Sequence, residues 1–298
     1  MGACFSSQND EQHSLHDDSS VAGEIEPSST KDANSDENSE SNVVVISKDV
    51  QDLRKNPIYS NLDVFTYDEM KMATKFFRED DVLGGGGFGL VYKGIIDESV
   101  RSGYTTTEVA IKELNTRGIQ GDKEWLTEVN YLGYLQHPNL VKLIGYCCEG
   151  KNRHLVYEYM AGGSVEKYLF QSGCKTLTWS RRMKIALDAA KGHLATYCDT
   201  YAFGVVLLEL LIGRRAVNMR LPYDEVYLAD WVRPILAESK KEGVRMIDHR
   251  MKGQYSYKTA FKVIDLAYTC IRRNPRRRPL MSKVVETLES VQTHDIVS

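Results

Sequence analysis

A glycine-rich stretch at residues 83–94 is the first part of this sequence whose pattern indicates chemistry. Glycines at 84, 86 and 89 give the spacing G-x-G-x-x-G. Without side chains, the backbone N–H groups of such a loop can approach phosphate oxygens closely. Alone the pattern is weak, because a flexible linker or a dinucleotide-binding turn can produce it. A dinucleotide-binding turn opens into a helix, whereas residues 90–92 indicate a second strand, so we predict a strand–turn–strand flap.

A lysine and a glutamate follow the flap in an order that fits phosphate binding. Residues 109–112 form a short apolar strand that ends in Lys112, and Glu128 lies within a predicted helix over residues 122–135. A strand lysine paired with a helix glutamate is the device by which protein kinases fix the α- and β-phosphates of ATP. Either residue alone reads equally well as a solvated surface charge. The ordered set of flap, lysine and glutamate favours nucleotide binding.

Four further motifs accompany this set. They are F-T-Y-D-E-M with Ala73 and Thr74 at residues 65–74, H-P-N-L-V at 137–141, G-Y-C at 145–147 and L-V-Y-E-Y-M at 155–160. Together with the flap they resemble the plant receptor-like cytoplasmic kinases, relatives of receptor kinases that attach to the plasma membrane by N-terminal acylation. The resemblance covers residues 62–192 and 199–290. It implies an α+β, bilobal protein-kinase-like fold.

The resemblance also implies an ATP site. Its residues would be Gly84, Gly86 and Gly89 over the phosphates, Val91 and Ala110 over the adenine, Lys112 and Glu128 as the ion pair, Tyr157 as gatekeeper, and the backbone of Glu158, Tyr159 and Met160 at the adenine edge. Gly85 departs from the family, which usually carries a larger residue there. The extra glycine should reduce the order of the flap and the affinity for nucleotide.

The catalytic segments of the family are missing from the middle of the sequence. We find no H-R-D-x-x-x-x-N, since the His249-Arg250 pair continues into Met251 and comes too late in the chain. The residues at 202–204 read A-F-G and lack the metal-binding aspartate of D-F-G, and no A-P-E is present. The triplet lies within residues 199–209, which resemble the buried helix that follows the activation segment in the family. The family layout places roughly 70 residues between Gly192 and His193, including the catalytic base and both Mg²⁺ ligands. We therefore assign no catalytic residue and no metal ligand, and expect only weak ATP binding.

The missing segment would fall in the second of two predicted lobes. Residues 61–160 would form an intact β-rich N-lobe with a preceding helix and a hinge, and residues 161–292 an internally truncated helical C-lobe with its deletion near 192–193, followed by a tail at 293–298. Predicted C-lobe helices cover residues 164–170, 180–191, 227–236, 258–270 and 280–291. The deletion should expose apolar faces of the two helices that it joins, a loss that could unfold a lobe of ordinary stability. Asp199 and Arg278 resemble family residues whose partners lie in the missing segment, so both are predicted to be orphans.

The N-terminal residues differ in composition from the rest. Residues 1–50 contain 11 acidic residues and two lysines, although the net charge of the whole chain is only -3. Residues 1–60 hold little apolar sequence apart from V-V-V-I at 43–46, so we predict a disordered arm. The start M-G-A-C-F-S fits N-myristoylation at Gly2. A single myristoyl chain binds membranes only marginally, so palmitate on Cys4 is the predicted second anchor.

Composition and resemblance together give the predicted partners. The near-neutral charge argues against a nucleic-acid ligand. The resemblance implies a place on the cytoplasmic face of the plasma membrane, held at the inner leaflet by acylation, and receptor kinases or other signalling proteins as partners. Three hypotheses remain open: a truncated form of a serine/threonine kinase from splicing or a faulty gene prediction, a pseudokinase that serves as a binding module, and an interfering fragment that competes with a full-length relative.

Overall fold

The computed structural model of this chain describes residues 47, 49–86, 89–114, 119–171, 173–192 and 197–294. Within these ranges, a part built on a β-sheet precedes a part made of helices. This arrangement confirms the predicted α+β fold of the protein-kinase type. The predicted acylation sites, Gly2 and Cys4, and the apolar run at 43–46 lie outside the described residues.

One mixed sheet forms the core of the first part. Its strands are β1 (Asp63–Phe65), β2 (Val82–Gly86), β3 (Gly89–Ile96), β4 (Thr107–Leu114), β5 (Leu143–Glu149) and β6 (Asn152–Glu158), in the order β1-β5-β6-β4-β3-β2. β1 runs parallel to β5, and the other neighbours are antiparallel. β2 pairs with β3 so that Gly86 faces Gly89, which confirms the predicted strand–turn–strand flap.

Three helices accompany the sheet: α1 (Val50–Lys55), α2 (Tyr67–Ala73) and α3 (Ile119–Tyr134). α2 begins with a reciprocal cap, in which the Thr66 side chain accepts from the N–H of Glu69 and the Glu69 carboxylate accepts from the N–H of Thr66. Such a cap satisfies two N–H groups that a helix start leaves without partners. α2 lies within residues 65–74, where the resemblance implies a helix, and α3 corresponds to the helix predicted at residues 122–135.

An aromatic cluster fixes α2 to the sheet. The ring of His154, on β6, stacks on Phe77 with 5.4 Å between centroids and lies 5.6 Å from the ring of Tyr67. Neither ring nitrogen of His154 has a hydrogen-bond partner among the described residues. Burial lowers the pKa of His154 to about 4, so this imidazole is neutral at physiological pH and packs as an apolar ring.

The predicted boundary of the disordered arm at residue 60 is wrong. Residues 49–59 contain α1, capped by the Asp49 side chain, and a 3-10 turn at Pro57–Tyr59. Leu53 and Tyr59 are almost fully buried, with 1% and 4% of their surface exposed. The polar composition of residues 49–59 does not indicate an ordered segment. The segment buries only a few apolar side chains, and the surface that they pack against belongs to the rest of the chain.

Seven helices make up the second part of the described chain: α4 (Val165–Phe170), α5 (Trp179–Gly192), α6 (Tyr197–Ile212), α7 (Leu228–Glu238), α8 (Lys240–Arg245), α9 (Tyr257–Cys270) and α10 (Met281–His294). The five helices predicted for this part are present, as is α6, the helix that the resemblance implies at residues 199–209, and α8 was not predicted. Across the described ranges, every helix is too short or too polar to cross a lipid bilayer.

α6 forms the centre of the helical core. Phe203, Leu207 and Leu211 are fully buried, in one cluster with residues of α9. Gly204 allows the close approach of the two helices, since a Cβ there would lie 2.6 Å from the Cβ of Cys270. The A-F-G sequence at 202–204 therefore belongs to a helix interface, as its resemblance to a buried helix predicted.

The expected exposure of apolar faces on α5 and α6 is wrong. Among the described side chains of these two helices, none is a large exposed hydrophobic. The apolar face of α5, which includes Met183 and Leu187, is buried in the same cluster as α6. α5 ends at Gly192 against the loop that follows α3, since a Cβ on Gly192 would lie 3.0 Å from the carbonyl oxygen of Asn139.

A buried ion pair joins several segments of this core. Arg182, on α5, has no exposed surface, and its Nη2 lies 2.7 Å from Oδ2 of Asp248. Its other nitrogens donate to the carbonyl oxygens of Leu177 and Leu210. Arg250 donates to the same aspartate. Burial opposes ionisation of Asp248, but the hydrogen bonds from Arg250 and Arg182 together lower its pKa to about 2.

We predict that Asp248→Asn destabilises the protein by about 3–5 kcal/mol, because it leaves the charge of Arg182 buried without a counterion. Urea denaturation at pH 7 measures this loss. In the unaltered protein the depressed pKa stabilises the fold above about pH 4, and this contribution is lost as the pH falls from the ordinary value of 3.8 towards about 2.

The matched control is Glu242→Gln, which removes a carboxylate from an exposed pair with Arg245. Exposed pairs of this kind contribute little to stability. Equal stabilities of the Asp248→Asn and Glu242→Gln proteins would contradict a structural role for the buried pair.

Candidate nucleotide-binding site

The glycines of the flap differ in the space that surrounds their Cβ positions. Gly89 adopts φ +125°, and a Cβ there would lie 1.8 Å from the carbonyl oxygen of Glu113 on β4. Only glycine fits that position without moving the backbone. Gly84 and Gly86 meet nothing within 4 Å at the Cβ position and are exposed. These two positions therefore leave open space above the flap in which backbone groups can meet a ligand.

Gly85, the position that departs from the family, faces Leu90 across the flap. A Cβ on Gly85 would lie 2.5 Å from Cδ2 of Leu90. Since Leu90 is 43% exposed, its side chain has room to move away. A larger residue at position 85 would then pack on Leu90, a contact between β2 and β3 that this chain lacks.

Lys112 and Glu128 meet beneath the flap. Lys112 Nζ donates to Glu128 Oε2 at 2.7 Å and to Oε1 at 3.0 Å. Lys112 lies on β4 directly opposite Val91 of β3, and Glu128 lies on α3. The side chains are 22% and 34% exposed. A lysine held by two carboxylate oxygens and still open to solvent presents a positive charge that a phosphate can approach.

Val91 and Ala110 lie on the strands next to this pair, and both are half-buried. Ala110 pairs with Tyr157, the predicted gatekeeper, across the β4–β6 ladder. The Tyr157 hydroxyl is buried without a hydrogen-bond partner among the described residues. Burial, and then the nearby Glu128 carboxylate, raise the pKa of Tyr157 well above its ordinary value, so the phenol is neutral.

The predicted hinge begins where β6 ends. The N–H of Glu158 donates to the carbonyl oxygen of Lys142 at 3.0 Å, and the Glu158 carboxylate accepts from the N–H of Lys142 at 2.8 Å. This N–H is therefore engaged within the protein. Contact with an adenine edge is left to the other backbone groups of Glu158, Tyr159 and Met160.

One contact at the hinge was missed by sequence reasoning. Lys93, on β3, places its Nζ 4.4 Å from the ring centroid of Tyr159 and also pairs with Glu108 of β4. The contact ties the roof of the site to the hinge. The sequence carries no signal for it, because Lys93 reads as an ordinary exposed position of an alternating strand.

The prediction that Arg278 is an orphan is wrong. Its Nε donates to the carbonyl oxygen of Arg272 at 2.9 Å, and its guanidinium lies 4.7 Å from the ring centroid of Tyr201. The carbonyls of the loop between α9 and α10 thus satisfy it without an A-P-E glutamate. Asp199 lies in α6, and its side chain is outside the described part.

The described side chains contain no cluster of metal-binding residues. Within those ranges, no group of three His, Cys, Asp or Glu residues is placed to hold a metal ion. Asp188 pairs with Lys184 on the surface of α5, and Arg250 of the late His-Arg pair belongs to the buried Asp248 network. Among the described residues predicted to meet phosphate, the structure places the flap glycines and Lys112 near one another.

Comparison with known proteins identifies the family of this chain. Residues 77–195 match the family described as protein tyrosine and serine/threonine kinase. The chain is 48% identical to the probable serine/threonine-protein kinase PBL17 of Arabidopsis thaliana, over 82% of this chain and 70% of that protein. It is 42% identical to PBL8 of the same plant, over 81% of this chain and 75% of that protein. It is 40% identical to the EPD1-interacting receptor-like cytoplasmic serine/threonine-protein kinase of Nicotiana benthamiana, over 86% of this chain and 70% of that protein.

The first alignment is longer than the part of this chain that it covers. It runs over 313 positions but includes 82% of this chain. Since 82% of 298 residues is about 244, about 69 aligned positions have no residue from this chain. In the other two alignments as well, about 69 aligned positions have no residue from this chain.

We predict that Gly89→Ala destabilises the sheet part by about 1–3 kcal/mol, because alanine at this φ is strained and meets the Glu113 carbonyl. Thermal unfolding measures the effect. Gly86→Ala is the matched control, since its Cβ meets open space, and it should stay within about 0.5 kcal/mol of the unaltered protein. Equal effects of the two substitutions would show that the flap does not have this geometry.

Proposed function

This chain belongs to the plant receptor-like cytoplasmic serine/threonine kinases, and we propose that it is a membrane-anchored, nucleotide-binding member that does not itself transfer phosphate. In this proposal the sheet part binds ATP weakly. The helical part serves as a folded support, and signalling proteins such as receptor kinases are the partners. The relative from Nicotiana benthamiana carries the name of an interaction with EPD1, which supports a role through protein partners.

The contact between Lys112 and Glu128 is the observation that carries nucleotide binding. It joins β4 to α3 with bonds of 2.7 and 3.0 Å below an open glycine flap. Lysine in this position binds the α- and β-phosphates of ATP in the kinase family. The flap supplies backbone groups for the remaining phosphate oxygens, and Val91 and Ala110 supply an apolar surface for the adenine.

The same geometry supports the absence of phosphoryl transfer. Transfer requires a residue that orients the acceptor hydroxyl and metal ions that neutralise the charge around the γ-phosphoryl group. The sequence has no H-R-D or D-F-G, and the described side chains form no metal site. The 69 or so aligned positions without a counterpart match in size the segment expected to hold these residues.

The buried core around α6 favours the pseudokinase reading over a chain that fails to fold. A lobe whose apolar faces are covered can present a stable surface to a partner without catalysis. A truncated splice form or gene prediction, and a fragment that competes with a full-length relative, remain the alternative functions. A transcript encoding H-R-D and D-F-G between Gly192 and His193 would favour the first of these alternatives.

Membrane attachment is proposed from the sequence of the arm. Gly2 lies in a myristoylation motif and Cys4 beside it can carry palmitate. The 11 acidic residues in positions 1–50 would be repelled by an anionic leaflet. Because one myristoyl chain gives only reversible binding, stable attachment depends on both acyl chains.

We predict that the purified protein binds ATP with an affinity that Mg²⁺ changes little, and that it transfers no phosphate. Calorimetric titration with and without Mg²⁺ measures the first, and transfer from radiolabelled ATP to a basic protein substrate measures the second. Loss of a general base alone lowers the rate by about 10²–10⁴-fold, so incorporation should equal that of Lys112→Met.

Lys112→Met is the control for both measurements, since it removes the charge that holds the phosphates. It should weaken ATP binding. Micromolar affinity that depends strongly on Mg²⁺, or incorporation well above the Lys112→Met background, would overturn the proposal.

We predict that Gly2→Ala releases the protein from membranes and that Cys4→Ser leaves it weakly attached. Fractionation of plant cells that express each variant measures this. Cys174→Ser is the matched control, because this half-buried cysteine is distant in sequence from Gly2 and Cys4, and it should fractionate as the unaltered protein. Retention of both the Gly2 and Cys4 variants on membranes would refute double acylation.

A further inference from the structure

Asn130, on α3, is held by the chain segment that precedes the sheet. Its Oδ1 accepts from the backbone N–H of Ser47 at 3.2 Å and from the hydroxyl of Tyr59 at 2.7 Å. Its Nδ2 donates to the carbonyl oxygen of Ser47 at 2.9 Å. Asn130 is 5% exposed and Ser47 4% exposed, so these polar groups depend on one another once they are buried.

Apolar contacts accompany this network. Leu53 of α1 and Tyr59 are buried in one cluster with Trp125 and Val129 of α3. Gly133 permits the close approach, because a Cβ there would lie 2.9 Å from the Tyr59 ring. Residue 47 and residues 49–62, which we call the strap, therefore lie along α3 between Trp125 and Gly133.

α3 also carries Glu128, one residue before Val129 and two before Asn130. The ion pair with Lys112 is partly exposed, and ion pairs in such positions contribute little stability by themselves. The contacts with the strap are buried. The position of α3, and with it the position of Glu128, is therefore fixed more strongly by buried contacts than by the ion pair.

We propose that the strap positions the Lys112–Glu128 pair, with Leu53, Tyr59 and Asn130 as positioning residues for nucleotide binding. The inference rests on the proposed nucleotide-binding function and deepens it. The strap continues directly into residues 1–46, which hold Gly2 and Cys4. A pull on the arm would therefore reach α3 through the strap, and undocking of the strap would release Glu128 from Lys112.

The test uses the full chain with Leu53→Ser, which removes the buried side chain of the strap. Hydrogen exchange of α3 reports its position, and calorimetric titration reports ATP affinity. We expect faster exchange in α3, unchanged exchange in α9, and ATP binding weakened by about fivefold or more. Lys55→Ser, an exposed change on the same helix, is the matched control and should alter neither measurement.

A double variant separates positioning from general damage. In the Lys112→Met background, Leu53→Ser should cause no further loss of ATP affinity, because the pair through which the strap acts is already gone. An additive loss would overturn the inference, as would unchanged exchange in α3 of the Leu53→Ser protein.

Tyr59→Phe tests the same contact with a smaller change, since it removes only the bond to Asn130. If Leu53→Ser does not fold, exchange in α3 of Tyr59→Phe decides: faster exchange supports the strap and exchange equal to Lys55→Ser overturns it. If the unaltered protein binds no ATP, the proposed function fails, whereas exchange in α3 still decides whether the strap holds that helix.

Discussion

The contact between α6 and α9 is the interaction on which the helical half of this protein depends. α6 carries Phe203, Leu207 and Leu211 with no exposed surface, and Gly204 lets the helix approach α9 closely. α5 and α10 then pack around that centre. Because these contacts lie among helices before and after the position of the proposed deletion, they close the core across that position.

The residues of the proposed nucleotide site can be divided in the same way, by their place before or within the segment proposed to be missing. The residues proposed for its roof lie on the sheet and α3, all of which come before the position of the proposed deletion. Metal ligands and a catalytic base would come from the segment proposed to be missing. A single lysine beneath the flap balances only part of the charge of a triphosphate. The proposed weak binding of ATP follows from this partial neutralisation of the phosphate charge.

The sequence predicts the parts of the structure that local pattern and motif determine. The flap, the strand that ends in Lys112 and the helix that carries Glu128 are all present. The wrong predictions concern contacts between segments that are distant in sequence. The sequence predicts a disordered arm where most of the strap lies, an orphan arginine at Arg278, and exposed apolar faces on α5 and α6. In each case the missing information was the surface on which a short segment packs, such as the face of α3 that receives Leu53. Composition cannot show such a surface, and Lys93 was missed for the same reason.

The burial of Phe203 and Gly204 has a consequence for protein engineering. Changing Ala202 to aspartate would spell D-F-G in the sequence, yet the phenylalanine would stay in the helix interface and the triplet would not become a magnesium loop. Recovery of enzymatic function calls instead for a cassette inserted between Gly192 and Tyr197. Gly192 lies against the loop that joins α3 to β5, so a cassette grafted there would emerge beside that loop.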